Sequence, residues 1–402
     1  MHNKKYLTWF FSDTSLDGAL SPHSFIIEKL SENFEKFYMI NLLCIKSPKL
    51  SQEFSHKIND KFKLPKNVKV FSPKTVNELK HFLKKKEIIG ICTWGKHFED
   101  FKYHLFLNFY KVKLIQISNV GNLQWTVKCP KNTIWTEIKF RLEKFYSHKI
   151  IILLSNLMIV PKIEVRFITD SSILKNINKN FFKKFLYKAK LFYAKELVLI
   201  NSRTYDKSKL DIGEVTEDEI VLLDYQLDHS VDIDTGYVYE EKKAEEHFFR
   251  LNKLLFKLAK LYNKKVVVTV HPDDNLELKK KLYPNFKVVQ HETLDHIRKS
   301  FMVLFFDSSA IVDAIFLHKR IITIKSPFTH SVPRDGSKEY SMRAGIYSLV
   351  LNQEISIDKE KLLLDLESCK KGYSDYIKKY VAPDGENLGY QKIVTTIKNK
   401  FF

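Results

Sequence analysis

A chain of 402 residues is longer than one hydrophobic core ordinarily organises and suits two domains of about 150 to 200 residues each. Its 44% hydrophobic and 28% charged content excludes a disordered chain. The 67 Lys and Arg against 47 Asp and Glu give a formal charge of +20, which either favours phosphate-rich partners (nucleic acid, an anionic membrane face, a nucleotide-activated substrate) or reflects no more than a Lys-rich surface.

In chain order, "KYLTWFF" predicts a first strand rather than a signal peptide. "SPHSFIIEKLSENF" predicts a helix capped at Ser21, and "FYMINLLCI" a second strand. "VKVFSP", "IIGICTWG" and "VKLIQISNVG" continue as strands separated by helical pieces such as "TVNELKHFLKKK". Strands alternating with helices predict a parallel α/β sheet covered on both faces, with ligands at the loops after the strand ends. From Thr126 to about residue 200 the pattern turns basic, aromatic and helical, with 15 Lys and Arg against 5 Asp and Glu. Such a segment is either an amphipathic helix with its rings in the core or a contact for an anionic membrane surface; no nucleic-acid module is visible. Its most apolar run, "IIILLSNLMIV", is well short of the ~20 residues a spanning helix needs. "EIVLLDYQLDHS" opens a second alternating set, followed by a long helix, "KVVVTVHPDDN", "FKVVQHE", "FMVLFFDSS" and "RIITIKS". The tail after residue 357 reads as helices that could cross back. Cys44, Cys92, Cys129 and Cys369 lie far apart without C-x-x-C spacing, which predicts reduced thiols and no structural zinc.

Two junctions carry chemistry. His271-Pro272 ends a β-branched run, so the imidazole stands where ligands bind in open α/β sheets, either as a ligand donor or as a histidine before a turn. Ser308 and Ser309 stand where an apolar strand passes into a helix, either as a helix cap or as a seat for a phosphate on the positive helix end. With one strand and helix between them, the two junctions share a rim.

Here the chain resembles bacterial GT-B glycosyltransferases that use CMP-activated sugars, the sialyltransferases and capsular Kdo transferases with "HP" and "SS" motifs. The resemblance covers residues 220 to 325 and is one of architecture in the N-terminal half. It implies two Rossmann-like parallel-sheet domains facing a cleft, with boundaries 1–210 (including the basic segment 126–200), 211–356, and C-terminal helices 357–402. It implies nucleotide contacts from His271, Pro272, Ser308 and Ser309. "LLDYQLDHSVDID" looks like a segment of capsule-biosynthesis proteins, which would add Asp224 and Gln226, with His229 weaker; these are equally turn formers. "LDG" resembles the acidic-acidic-Gly motif of the sialyltransferases, with Leu16 in place of the first acid. Asp17 and His23 are therefore the candidate general bases, Asp13 a further one, since a base must reach the acceptor hydroxyl. Lys96, His97 and Asn119 are candidates for the acceptor side. His330, Arg334 and Arg343 are candidates for pairing with a sugar carboxylate or phosphate, or are plain surface loop.

The activity implied is inverting, metal-independent and cofactor-free transfer of a CMP-linked acidic sugar of the sialic acid or Kdo type to a glycan or glycolipid acceptor. The setting implied is capsule or lipopolysaccharide synthesis in the cytoplasm, peripheral to the inner membrane, without nucleic acid. The alternatives are a CDP-polyol phosphotransferase, similar through the helix-capping Ser pair of wall teichoic acid polymerases, or a nucleotide-binding assembly protein without catalysis.

Overall fold

The computed structural model describes residues 5–11, 16–48, 51–52, 64–84, 86–92, 101–118, 157, 162–188, 194–210, 213–224, 241–271, 274–306, 308–328, 336–351 and 356–402. The chain divides into two compact units. In the first, β1 (Lys5–Phe11), α1 (Leu16–Asn33), β2 (Phe37–Asn41), β3 (Val68–Phe71), α2 (Val76–Leu83), β4 (Glu87–Cys92), α3 (Phe101–Phe109), β5 (Lys113–Ser118), β6 (Ile163–Ile168), α4 (Ser171–Lys179), α5 (Phe181–Lys188) and β7 (Ala194–Leu199) build a seven-stranded sheet of order β3-β2-β1-β4-β5-β6-β7. Every pairing is parallel. Strand residues alternate between two cores, as the two-residue period of a strand dictates. Leu7, Trp9, Phe11, Ile89 and Ile91 face α1 through Ile26, Ile27 and Leu30. Phe10, Ile88 and Leu114 face Leu79 of α2, Leu107 of α3 and Ile177 of α4. Gly90 is needed between them, because a Cβ there would stand 2.8 Å from the Phe10 ring.

Strands β6 and β7 lie inside the segment whose composition predicts helices. Its Lys and aromatic content masks an alternation within "IEVRFI": Val165 and Phe167 are buried in one core, Glu164 and Arg166 are not buried, and Ile163 and Ile168 are buried in the other. The first helix also begins earlier than its expected cap at Ser21, so Pro22 lies within α1. The missing Pro22 N–H gives up one helical bond there.

After α6 (Arg203–Leu210), the second unit carries β8 (Glu219–Leu223), α7 (Glu241–Tyr262), β9 (Lys265–Val270), α8 (Leu276–Leu282), β10 (Lys287–Gln290), α9 (Thr293–Lys299), β11 (Ser300–Phe305), α10 (Ile311–Phe316), β12 (Arg320–Lys325), α11 (Gly336–Ala344), β13 (Tyr347–Val350) and α12 (Lys359–Cys369). Its six-stranded sheet has the order β10-β9-β8-β11-β12-β13, again wholly parallel. Leu251, Leu254, Leu255 and Leu258 of α7 pack on one face with Ile220, Leu222, Val268 and Leu304. Among the described residues no helix is long and apolar enough to cross a membrane. Among the described residues Cys44, Cys92 and Cys369 form no disulfide, and Cys129 lies outside the described residues.

The tail divides: residues up to 381 stay with the second unit, and 382–402 join the first. There α13 (Gly389–Phe401) buries Ile393, Val394, Ile397 and Phe401 against the α1 side of the first sheet. Its own N-cap, Leu388, has no side-chain acceptor. Asp206 of α6 supplies one from far along the chain, accepting the N–H groups of Gly389 at 2.7 Å and Tyr390 at 2.8 Å. Asn201 holds the approach, donating to the carbonyls of Gly385 and Asn387 and accepting the Asp384 N–H. A Cβ at Gly389 would meet the Asn201 carbonyl oxygen. We expect Asp206→Ala to cost about 1–2 kcal/mol in urea unfolding, the usual worth of a cap. Burial outweighs the two N–H donors and pushes the Asp206 carboxyl from 3.8 up to about 6. Its stabilising share is therefore complete at low pH and falls as pH rises through that interval. The advantage of the wild type over Asp206→Asn should accordingly shrink between about pH 4 and 6; a constant difference would contradict this.

Candidate active site at the rim of the second sheet

In each sheet the strand order reverses direction beside its first strand, between β8 and β11 in the second unit. At such a switch point the following crossovers depart to opposite faces, leaving a crevice at the carboxyl ends of the strands. Asp224 ends β8, His271 ends β9, and Ser308 and Ser309 follow β11, so adjacent strands β9, β8 and β11 deliver all of them to one rim.

The ends differ in what they offer. Asp224 is turned inward: its side chain is about 1% exposed, and its oxygens accept Lys279 Nζ at 2.6 Å and the Tyr283 hydroxyl at 2.5 Å. Asp224, expected to contact the nucleotide, lies in a buried ion pair, in which a strand-end carboxylate beside a buried ammonium satisfies both charges. That pairing deepens the preference of Tyr283, already raised by burial, for its protonated form. His271 is exposed, and its main chain is tied down. Its N–H donates to the Asp274 carboxylate at 3.0 Å, and its carbonyl accepts Gln290 Nε2 at 2.8 Å and the Asp274 N–H at 3.0 Å. The imidazole thus leaves the rim from a fixed turn. Pro272 lies outside the described residues.

The serine pair also departs from expectation. The N-cap of α10 is Ala310, not a serine, and α10 spans only six residues. Ser308 Oγ accepts the Ala310 N–H at 3.3 Å, while the N–H groups of Ile311 and Val312 bond to the carbonyls of Ser308 and Ser309. The first-turn N–H groups expected to be open are therefore already used in a tight turn. The Ser309 hydroxyl has no hydrogen-bond partner among the described residues. It and the remaining capacity of Ser308 are what this turn presents to an anion.

Sequence reasoning missed His247 and Ser326. The first turns of α7 bring His247 over Phe306, ring centroids 5.1 Å apart, and its Nδ1 lies 2.9 Å from Oγ of Ser326, just past β12. Burial, with Lys279 nearby, lowers His247 to about 4. Its position after a polar loop on a helix facing the rim was the available signal.

Other candidates fall elsewhere. His23 packs on Trp9, centroids 5.0 Å apart, with Nδ1 buried and unpartnered among the described residues. Burial and then the Arg203 charge lower it to about 3, which makes it a weak base. Asp17 stands in the first turn of α1, its side chain outside the described residues. Arg343 donates to the Tyr380 hydroxyl at 2.8 Å. Asp13, Lys96, His97, Asn119, Gln226, His229, His330 and Arg334 lie outside the described residues. Among the described residues no group of three or more His, Cys, Asp or Glu is placed to hold a metal ion.

No family model matches the sequence, and no curated protein matches it. Solved structures do match in fold. The chain is similar to MnaA of S. aureus in a UDP co-structure, with TM-score 0.50, 12% identity, and 98% of this chain and 96% of that one covered. It is similar to the wall teichoic acid polymerase TagF soaked with CDPG, with TM-score 0.51, 10% identity, and coverage of 98% and 88%. It is also similar to the spinosyn rhamnosyltransferase SpnG complexed with thymidine diphosphate, with TM-score 0.52, 9% identity, and coverage of 98% and 100%. At these identities the likeness is one of fold. The chain has the GT-B class of two Rossmann-like parallel-sheet units. The nucleotides in these structures are UDP, CDPG and thymidine diphosphate, and a CMP-activated sugar is not among them.

The Asp224 arrangement has a direct test. Asp224→Ala leaves the buried Lys279 with only its longer contact to Asp274, at 3.9 Å, and we expect a loss of about 3 kcal/mol in urea unfolding. Unchanged stability with weakened nucleotide binding would return Asp224 to the ligand. A second test uses pH. Between 6.5 and about 4 the unfolded chain protonates His247 and the folded chain does not, so stability falls as pH drops across that window. His247→Gln should flatten that limb, and an unaltered slope would count against a neutral, buried His247.

Proposed function

We propose that the protein is a transferase that binds a nucleotide-activated sugar at the carboxyl rim of the second sheet and passes the sugar to a glycan acceptor with inversion. The observation that carries the reading is the adjacency of β9, β8 and β11 at the switch point, with the His271 imidazole exposed and the Ser309 hydroxyl unpartnered among the described residues. In such a reaction negative charge develops on the departing nucleotide phosphate. Preorganised neutral donors stabilise that charge without solvent having to reorganise. The two serine hydroxyls are donors of this kind and the His271 imidazole adds another, while the Asp224 carboxylate is already engaged by Lys279 and Tyr283.

The finer reading is a CMP-linked acidic sugar of the sialic acid or Kdo type, used on the cytoplasmic face in bacterial surface-polysaccharide synthesis, with no metal or other cofactor required. It rests on the "HP" and "SS" resemblance, with His271, Pro272, Ser308 and Ser309 as nucleotide contacts. The general base is assigned to Asp17, since His23 is held too low to compete for a hydroxyl proton near neutrality. Thermal shift with CMP, CDP, UDP and GDP tests both levels. We expect CMP to stabilise most. CDP preference would move the donor to the polyol phosphate class, UDP preference would overturn the cytidine assignment, and no shift with any nucleotide would overturn the transferase reading. Replacing Ser308 and Ser309 together by Ala should weaken CMP binding about tenfold or more, the ~1.4 kcal/mol that a pair of lost donors readily exceeds. The unfolding midpoint without nucleotide should barely move.

A further inference from the structure

The most exposed large apolar side chain among the described residues is Phe181, at 86%, and Phe185, one helical turn further along α5, is 55% exposed. Residues i and i+4 lie on one side of a helix, so both rings share a face. Between Ser171 and Lys195 the chain has seven lysines and no acidic residue. Of these, Lys175, Lys179, Lys183 and Lys184 on α4 and α5 are exposed, and none has a partner among the described residues. The hairpin is anchored from beneath by Ile177, buried in the core under this face of the first sheet, and by the Tyr187 hydroxyl, which accepts the Leu197 N–H at 3.1 Å. On the same face α3, seated through Leu107, ends in Phe109, 78% exposed. Elsewhere exposed rings are diluted by charge of both signs: Phe249 and Phe256 on α7 share that helix with Glu245 and Glu246.

Exposed aromatic rings set among lysines that have no partner among the described residues, on helices anchored to the sheet, match an anionic bilayer. The rings enter the interface while the ammonium groups remain at the level of the anionic headgroups. We propose that α4 and α5 dock the protein on an anionic lipid surface, with Phe181 and Phe185 inserted and Lys175, Lys179, Lys183 and Lys184 at the headgroups. The proposal goes beyond the transferase reading and does not depend on it.

The test is sedimentation of the full chain with vesicles of phosphatidylcholine alone and of phosphatidylcholine mixed with phosphatidylglycerol. Binding is expected only to the mixed vesicles and should fall as salt is raised. Phe181→Ser with Phe185→Ser should reduce the bound fraction at least tenfold, and so should replacement of the four lysines by Gln. Phe249→Ser with Phe256→Ser should leave it unchanged. Urea unfolding midpoints of all variants should equal the wild type's, which verifies folding whether or not any nucleotide binds, and unchanged nucleotide-induced thermal shifts, where the wild type shows them, separate this outcome from the donor-site tests. Equal binding to both vesicle types, loss through the α7 pair instead, or tighter binding of a single-stranded oligonucleotide that the same lysine changes abolish would each overturn the proposal.

Discussion

The rim of the second sheet depends on the buried carboxylate of Asp224. Its N–H continues the β8 to β9 ladder by donating to Thr269, and its oxygens fix Lys279 of α8 and Tyr283 just beyond it. The entry to α8 is the His271 to Asp274 turn, which Gln290 clamps from the end of β10. One ion pair therefore connects the ends of β8, β9 and β10 to the helix that follows the His-Pro corner. A charge placed there costs desolvation that its partner must offset. What it secures is a definite geometry for the group that leaves the rim, the His271 side chain.

This division between groups that hold the rim and groups that face outward also accounts for the serine turn. In a longer helix the first N–H groups would remain open to an anion. In α10 the tight turn uses those of Ala310, Ile311 and Val312 internally. Donors for an anion then have to come from side chains, so the second hydroxyl matters more than it would at an ordinary cap. His247 follows the same logic from the other side: packed on Phe306 and tied to Ser326, it is kept neutral by burial beside Lys279.

The parts of the fold legible in the sequence were those where local pattern and tertiary environment agree. "KVVVTV" and "SFMVLF" are buried on both faces and read as strands without context, and the His-Pro and Ser-Ser junctions at their ends were placed on one rim. "IEVRFI" carried a two-residue alternation over Glu164 to Phe167, yet the lysine and phenylalanine content around it favoured helix, and a compositional signal overrode a periodic one. The inward turn of Asp224 was not legible, because its partners Lys279 and Tyr283 stand 55 and 59 residues away. Nothing in "LLDYQ" distinguishes a ligand carboxylate from a buried one.

The return of the tail shows the same limit more sharply. Leu388 offers α13 no cap, and a leucine followed by glycine is a poor helix start by local rules. The start works because Asp206 reaches its first two N–H groups and because Gly389 has no Cβ to strike the Asn201 carbonyl. Residues 201 to 206, after the last strand of the first sheet, and 384 to 390, where the chain comes back, are thus complementary surfaces written about 180 residues apart. Because the apolar face of α13 covers Trp9, Ile26 and Leu30 of the first unit's core, that core is not closed until the last residues of the chain have passed Asn201. A loss-of-contact change at either end of this clasp should therefore weaken the first unit as a whole, and not merely fray a terminus.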